Sequence, residues 1–591
     1  MQQELHRHSS KDCVPYSVEV QWGVKVPLRD GTQLNATRYL PKGLKTAAPY
    51  IVTLTPYVSD RYHKRGTYFA AQGFPFVVVD CRGRGNSEGQ FRPYIQEAQD
   101  GYDLIEWAAR QPNCTGKVAM WGGSYAGYNQ WATAKEFPPH LAAIVPTAAP
   151  YMGLDFPMRN NIFCPYVMQW IVFTAGRASQ EKIFADDDFW AGIYRDWLES
   201  GRPFRDLDTL VGHPSKLFHE WLSHPEPGAY WDAHNPTPEQ YATLDLPILT
   251  ITGSYDDDQP GALEHYRQHM RYASRAQRDR HYLVIGPWDH PRTASPEAEF
   301  GGVEFGPASL LDIPRLHQEW YAWTMLDGPR PEFLKKRVAY YVMGAERWRY
   351  ADDLDDVTAR HETWFLDSRS NANDVFSSGS LSAQPGIGSP DCYRYDPSQT
   401  SGPEVNAEAQ TAADSLVDQQ VTLALRGRQL IYHSAPLEKD LEVSGFFRFT
   451  AWLSIDCPDT DFYVTVHEIL LDGSSVRLST DVLRARYRKD LRQPHLIDTR
   501  EPRCYEFDRF TFVARLIGKG HRVRLIVAPT GRTNQTLFTQ KNYNGGGTVA
   551  EESVSDARAV TVKLHHDGQR PSALHIPIGR SIEPDEAGTT T

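Results

Sequence analysis

Several features that would assign this 591-residue sequence to a large protein class are missing from it. It has no run of about 18 apolar residues, so no membrane-crossing helix is expected. Its start, Met1-Gln2-Gln3-Glu4-Leu5-His6-Arg7-His8, is polar and carries no apolar h-region, which argues against a secretory signal peptide. There are only seven cysteines (Cys13, Cys81, Cys114, Cys164, Cys392, Cys457 and Cys504), odd in number, scattered, and never in a C-x-x-C pair. Neither a disulfide framework nor a zinc site is indicated, and the thiols are expected to be reduced, in a cytoplasmic protein. Positive charge is not in excess either. Sixty-two Lys and Arg against 74 Asp and Glu leave a formal net charge of −12. That balance argues against nucleic acid or an anionic membrane as a partner. No internal repeat is present.

What is there reads as an ordinary globular composition, 40% hydrophobic and 23% charged. The length suggests about three to four domains. Val18–Val20 and Val24–Leu28, followed by Arg29-Asp30-Gly31-Thr32, predict antiparallel strands with an Asp-Gly turn. Residues 50–57 and 73–80 are continuous apolar, β-branched runs, as strands buried on both faces of a parallel sheet require. Between the second run and the next helix lies Arg82-Gly83-Arg84-Gly85-Asn86-Ser87-Glu88-Gly89, a shaped loop. Its G-x-G pattern is not read as a dinucleotide site, because no helix opens there. Ala98, Tyr102, Ile105 and Ala109 fall on one side of a helix.

The stretch that organises the chain is Val118-Ala119-Met120-Trp121-Gly122-Gly123-Ser124-Tyr125-Ala126-Gly127-Tyr128. A buried strand passes through two glycines and a serine into a helix expected over 125–137. This is the pattern of a nucleophile elbow, which lifts a serine hydroxyl to the C-terminal edge of a sheet. Ala126 stands where the common G-x-S-x-G spelling has its last glycine, and Gly127 follows. A serine needs a base to take its proton and a carboxylate to orient that base. Two later strands supply candidates at their C-terminal ends: residues 246–253 lead to Asp256, and residues 281–286 lead to His290. The order Ser124, Asp256, His290 is the order of an α/β-hydrolase triad. Taken singly, Asp256 also reads as a helix cap and His290 as a loop histidine. The Tyr125 N–H, opening the helix, would donate to an oxyanion, and Tyr57, after Pro56, could add its hydroxyl.

From 151 to 242 the strand rhythm stops and aromatics dominate, with Phe189, Trp190, Tyr194 and Trp197 at helical spacing. This predicts a helical insertion over the site, most of its aromatics forming a core and a few lining a pocket. After about 335 short alternating strands predict a β-sandwich. Residues 367–420, rich in Ser, Gly, Pro, Asp and Ala, are expected to be an irregular connection.

The three motifs around Ser124, Asp256 and His290 resemble the cocaine esterase / X-prolyl dipeptidyl-peptidase family of serine hydrolases. So do Pro56-Tyr57, the loop from Asp80 to Gly89, Tyr341-Val342-Met343-Gly344 with Trp348-Arg349, Leu441–Gly445, Asp459-Thr460-Asp461-Phe462, and Leu483-Arg484-Ala485-Arg486-Tyr487-Arg488. The resemblance runs from about residue 17 to the end. It implies an α/β fold: an α/β-hydrolase domain (1–150 and 243–335), a helical cap (151–242) and a C-terminal jelly-roll (336–591). It implies Ser124, Asp256 and His290 as triad, Tyr57 and Tyr125 as oxyanion donors, and no metal or organic cofactor. Asp258, Tyr166, Trp170 and Trp288 are candidate substrate contacts. In the related α-amino-acid ester hydrolases and β-lactam acylases, acidic residues follow the triad aspartate at the positions of Asp258 and Gln259, so the match is half. The bland reading of Asp257 and Asp258 is a solvated helix N-terminus. The expected reaction is cleavage of a small-molecule ester or amide through an acyl-enzyme. Acyl transfer is the catalytic alternative, and a non-catalytic ligand-binding protein is the alternative that an intact triad argues against. The sequence starts directly at the hydrolase domain, without the extra N-terminal helical domain of the lactic-acid-bacterial X-prolyl peptidases, which argues against that activity. A homodimer is compatible with the sequence but not required by it.

Overall fold

The computed structural model describes residues 15–399, 415–419, 422–423, 427–529 and 540–580; Cys13 lies outside them. The chain forms two compact units. The first runs up to Val145 and adds Gly176–Ser179 and Pro314–Pro331, and the second takes the rest.

The first unit holds strands β1 (Val18–Pro27), β2 (Gln33–Pro41) and β3 (Ala48–Thr55), helix α1 (His63–Ala71), strand β4 (Phe76–Asp80), helix α2 (Glu97–Ala109), strand β5 (Cys114–Gly123), helix α3 (Tyr125–Ala134) and strand β6 (Leu141–Thr147), whose last residues pass into the second unit. The strands lie in the order β1-β2-β4-β3-β5-β6. Val18–Val20 and Val24–Leu28, read as two antiparallel strands, are one strand, β1, with an irregularity between Gln21 and Val24; its antiparallel partner is β2, across the Asp-Gly turn, with Gly31 at φ 87° and Asp30 accepting the N–H of Thr32 at 3.0 Å. β3 runs parallel to both β4 and β5. Every residue of β3 and β4 is buried, as continuous apolar runs between helical layers must be. α2 and α3 touch at Gly101, where a Cβ would fall 1.8 Å from the Thr133 hydroxyl. Helix Ile313–Leu326 covers β5: the Tyr321 hydroxyl donates to the Met120 carbonyl at 2.8 Å and the Trp121 indole to His317 at 2.9 Å.

The second unit contains seven short helices between Tyr166 and Thr243. Their interior is aromatic, as expected: Trp197, Phe204 and Phe218 pack edge to face, and all three are buried. Strands β7 (Ile248–Tyr255) and β8 (His281–Asp289) follow, separated by helix α4 (Gln259–Tyr272), and run parallel. β9 (Val338–Val342) extends them in parallel, and β10 (Arg347–Ala351) closes the edge antiparallel to β9. The alternating-strand reading had placed residues 338–342 in the sandwich. Val-Ala-Tyr-Tyr-Val is buried throughout, so the segment suits a two-sided sheet better than a half-exposed one.

The C-terminal part is all β, mostly antiparallel, as in Asp461–Ile469 against Ser475–Arg484 and Thr358–Asp367 against Ala573–Gly579. The irregular connection expected at 367–420 contains two strands, Gly379–Ser382 and Asp391–Tyr395; residues 400–414 lie outside the described ones. Asp391 is the reason for order here. Its buried carboxylate accepts from Ser368, Tyr432 and the N–H of Ala372. Two family-like motifs prove to be partners of each other: buried Arg484 pairs with Asp461 at 2.8 Å, and Arg486 with Asp459 at 2.8 Å. Among the described residues no helix is long and apolar enough to cross a membrane.

Candidate active site

Ser124 joins β5 to α3 with φ 59° and ψ −128°, angles that a non-glycine residue adopts only under constraint. Gly122, at φ 145°, shows why the preceding glycine is needed. A Cβ there would stand 2.5 Å from the Ala126 Cβ and 3.1 Å from the Thr53 hydroxyl. The alanine in place of the usual last glycine is thus accommodated by the glycine on the strand side.

Buried polar groups lock this turn, and local sequence carried no sign of them. The Gln130 amide nitrogen donates to the carbonyls of Gly122 (2.9 Å), Ala126 (3.2 Å) and Val145 (2.9 Å), and its oxygen accepts the Val145 N–H at 2.7 Å. Asn129 donates to the Leu54 carbonyl of β3 at 2.8 Å. The Tyr125 hydroxyl donates to the Glu97 carboxylate and accepts the Tyr94 N–H at 2.9 Å. Burial pushes the Glu97 carboxyl up to about 7, against the opposing effect of the Tyr125 hydroxyl. Tyr125, whose N–H opens α3, is therefore held through its side chain, and the turn around it through the carbonyls of Gly122 and Ala126. Tyr57, the other expected oxyanion donor, is buried in the same unit, with its ring 6.5 Å from that of Tyr125 and nearly perpendicular to it.

In the second unit Asp256 follows β7 and His290 follows β8. The imidazole Nδ1 donates to Asp256 Oδ1 at 2.8 Å, which puts the lone pair of the neutral ring on Nε2. Asp256 is itself oriented: its Oδ2 accepts the Thr252 hydroxyl at 2.7 Å, and its Oδ1 the Asp258 N–H at 3.1 Å. A second carboxylate, Asp258, stands 3.6 Å from the same Nδ1. Burial alone would lower the His290 pKa, but Asp256, Asp258 and Asp257 outweigh it and hold it up at about 10. Burial likewise pushes Asp258 up to about 7, opposed by His290 and reinforced by the neighbouring aspartates. Gln259, at the other position of the half-matched acidic pair, is fully engaged in packing. Its amide donates to the carbonyls of Gly253, Ser254 and Phe512 and accepts the Phe512 N–H.

These charges predict a pH profile. A base must be neutral to take a proton, so kcat/KM for an uncharged ester should rise with pH well beyond the ordinary imidazole value near 6.5. Asp258→Asn removes one anion that favours the imidazolium. Its acid limb should move to lower pH and its rate at pH 7 should rise, about tenfold per unit moved. Superimposable pH–rate profiles for the two proteins would contradict this account.

Two of the expected substrate contacts are buried. Trp288 is fully buried: its indole N–H donates to the Ser309 carbonyl at 3.3 Å, and its ring fills the space over Gly286 and packs on Trp348. Trp170 is buried between Phe156 and Trp221 in the helical region. Both pack against neighbouring aromatics, since a tryptophan's large apolar area is taken up by whichever core lies nearest. Tyr166 is half-buried, its ring 6.1 Å from that of Phe184. A cavity of about 530 Å³ lined by Tyr151, Trp231, Glu264, Arg492 and Arg509 includes neither Asp256 nor His290, so volume alone does not mark the site.

A mostly parallel sheet, a serine on a strained strand–helix turn and a C-terminal β-sandwich define an α/β-hydrolase with an accessory β domain. Known proteins agree. The X-Pro dipeptidyl-peptidase (S15) family matches residues 30–292, and the C-terminal non-catalytic domain of X-Pro dipeptidyl-peptidase matches 333–575. A cocaine esterase of Rhodococcus is 25% identical over 576 residues, covering 94% of this chain and 98% of the relative. Two solved structures share the fold at a TM-score of 0.80 and 20% identity. One is an α-amino acid ester hydrolase, with 97% of this chain and 98% of the other covered. The other is an aminopeptidase from a marine sediment archaeon, Thaumarchaeota archaeon, with 98% of each covered. The chain belongs to the cocaine esterase / X-prolyl dipeptidyl-peptidase (CocE/NonD) family of serine hydrolases.

Proposed function

We propose that the protein cleaves an ester or amide bond of a small-molecule acyl substrate, with Ser124 as nucleophile and His290 and Asp256 as its base and orienting acid. The strained backbone of Ser124 at the head of α3 carries this reading, because such angles persist at a turn only where the surrounding structure imposes them. The 2.8 Å His290–Asp256 bond, the chain order and the cocaine esterase relative support it. In the proposed cycle His290 Nε2 takes the proton of Ser124 as Oγ attacks the carbonyl. The Tyr125 N–H and the Tyr57 hydroxyl hold the oxyanion. The leaving group departs with the proton from His290, and water repeats the steps on the acyl-enzyme. Tyr166 is a proposed pocket residue. Sequence character divides the chain into hydrolase, cap and sandwich, with the strands at 338–351 counted to the hydrolase sheet, and the reduced thiols favour the cytoplasm. A fluorophosphonate should label the native protein at Ser124; a native protein that takes no label would overturn the proposal.

The closeness of Asp258 to His290 favours a second, narrower reading: a substrate with a free α-amine, its ammonium group paired with Asp258. Amino-acid p-nitrophenyl esters should then outrun their N-acetylated forms, with the preference lost in Asp258→Asn. Equal rates on both in the native protein would remove this reading and leave the first.

A further inference from the structure

The glycine-rich loop after β4 has no part in the chemistry so far, yet the structure gives it a specific task. The segment it embraces, Pro56-Tyr57-Val58-Ser59, contains a backbone outlier. Val58 has φ 67° and ψ 135°, a region that a β-branched residue occupies only when it is forced there. The backbone on either side of the Tyr57-Val58 pair is held from the loop. On the N-terminal side, the fully buried Arg84 donates from Nε to the Pro56 carbonyl at 2.7 Å. It also donates to the Gly176 carbonyl, and its guanidinium lies 5.6 Å from the centre of the Phe91 ring. On the C-terminal side, Asp80 accepts the Ser59 N–H at 2.7 Å. Tyr57 itself donates its N–H to the Thr55 hydroxyl at 3.1 Å.

The spelling of the loop follows from this clamp. Gly85, at φ 50°, lies against Asp80 so closely that a Cβ would fall 2.3 Å from the carboxylate. Ser87 donates its hydroxyl to the Asp80 carbonyl at 2.7 Å and accepts the Asn35 N–H at 2.8 Å, which ties the loop back to β2. Asn35 also donates to the Asp80 carboxylate at 3.4 Å. A buried arginine that donates to a carbonyl is a costly way to hold a plain surface turn. It is economical where the position of one neighbouring side chain must not vary.

We propose that the loop Asp80–Gly89, acting through Arg84 and Asp80, is a positioning element for the Tyr57 hydroxyl: it clamps the backbone on both sides of strained Val58 and so fixes the second oxyanion donor. The inference rests on the reading of Tyr57 as that donor. Neither Arg84 nor Asp80 touches the reacting atoms in this account; both act through Tyr57.

The test is a double-mutant cycle on p-nitrophenyl acetate hydrolysis, with melting temperature measured alongside. Loss of an oxyanion donor lowers kcat about 10²–10³-fold, so Tyr57→Phe should do so. Val58→Gly and Arg84→Gln, which loosen the donor without removing it, should lower kcat about ten- to a hundredfold with KM little changed. Placed on Tyr57→Phe, each should cost less than about threefold more, because the group it positions is already gone. Val58→Gly should also melt no lower than the native protein, since glycine relieves the unusual φ. A purely structural role would instead lower kcat equally in both backgrounds, and that result overturns the proposal, as does an unchanged kcat in Val58→Gly. If Arg84→Gln fails to fold, Val58→Gly decides alone. Should Tyr57→Phe itself leave kcat unchanged, the reading of Tyr57 fails and the inference falls with it.

Discussion

Ser124→Ala is expected to lower kcat for p-nitrophenyl acetate by about 10⁴–10⁶-fold, with KM and melting temperature close to native. Losing the nucleophile removes the covalent path altogether. What remains is the acceleration that oxyanion donors and substrate binding give to direct attack by water. Stability should be spared because alanine keeps the Cβ and the backbone of the turn, and the bonds that lock the turn come from Gln130, Asn129 and Glu97 rather than from the serine hydroxyl. Loss of fluorophosphonate labelling should accompany the loss of rate. A variant retaining more than a tenth of native kcat would remove Ser124 from the chemistry.

Asp256→Asn is the second large effect, about 10²–10⁴-fold in kcat at pH 7. The carboxylate accepts three hydrogen bonds, from His290, Thr252 and the Asp258 N–H. An amide of the same shape can keep the contacts but loses the charge that stabilises the imidazolium formed in the transition state. In triads of this kind the change costs about 10⁴. The lower end of the range reflects Asp258, whose carboxylate, 3.6 Å from the same nitrogen, supplies part of the missing charge. Circular dichroism should show a native fold, and the residual activity should have its acid limb at lower pH, since one anion fewer favours the imidazolium. A kcat within threefold of native would mean that another group orients His290.

The parts of the site that were legible had local signals. Gly122-Gly123-Ser124 between an apolar run and a helix, and an acid and a histidine each just past a strand, are patterns of a few residues whose meaning follows from sheet geometry. The parts that were not legible are side chains whose partners lie far along the chain. Gln130 in a helix is an ordinary helix former until its amide is found on Gly122 and Val145. Gln259 looked like half of an acidic pair and is a brace to Phe512, 253 residues away. Trp288 and Trp170 read as pocket aromatics and are buried, and sequence shows the size of a tryptophan but not what surrounds it. The Arg-Gly-Arg-Gly loop announced its bend through its glycines, while the carbonyl that Arg84 holds lies at the end of the neighbouring strand β3, 28 residues back along the chain.

By itself the sequence determined the class of chemistry, the parallel-sheet strands, the helical and β-sandwich regions, and the order of the three residues proposed as a triad. These follow from hydrophobic period, turn chemistry and residue type, which are properties of neighbours along the chain. Tertiary structure alone decided the strand order β1-β2-β4-β3-β5-β6, the capture of residues 338–342 by the parallel sheet, the buried amides that lock the elbow, and the two carboxylates at one face of His290. Each depends on which distant segments share a low-dielectric interior, where every polar group must find a partner and every charge alters its neighbours.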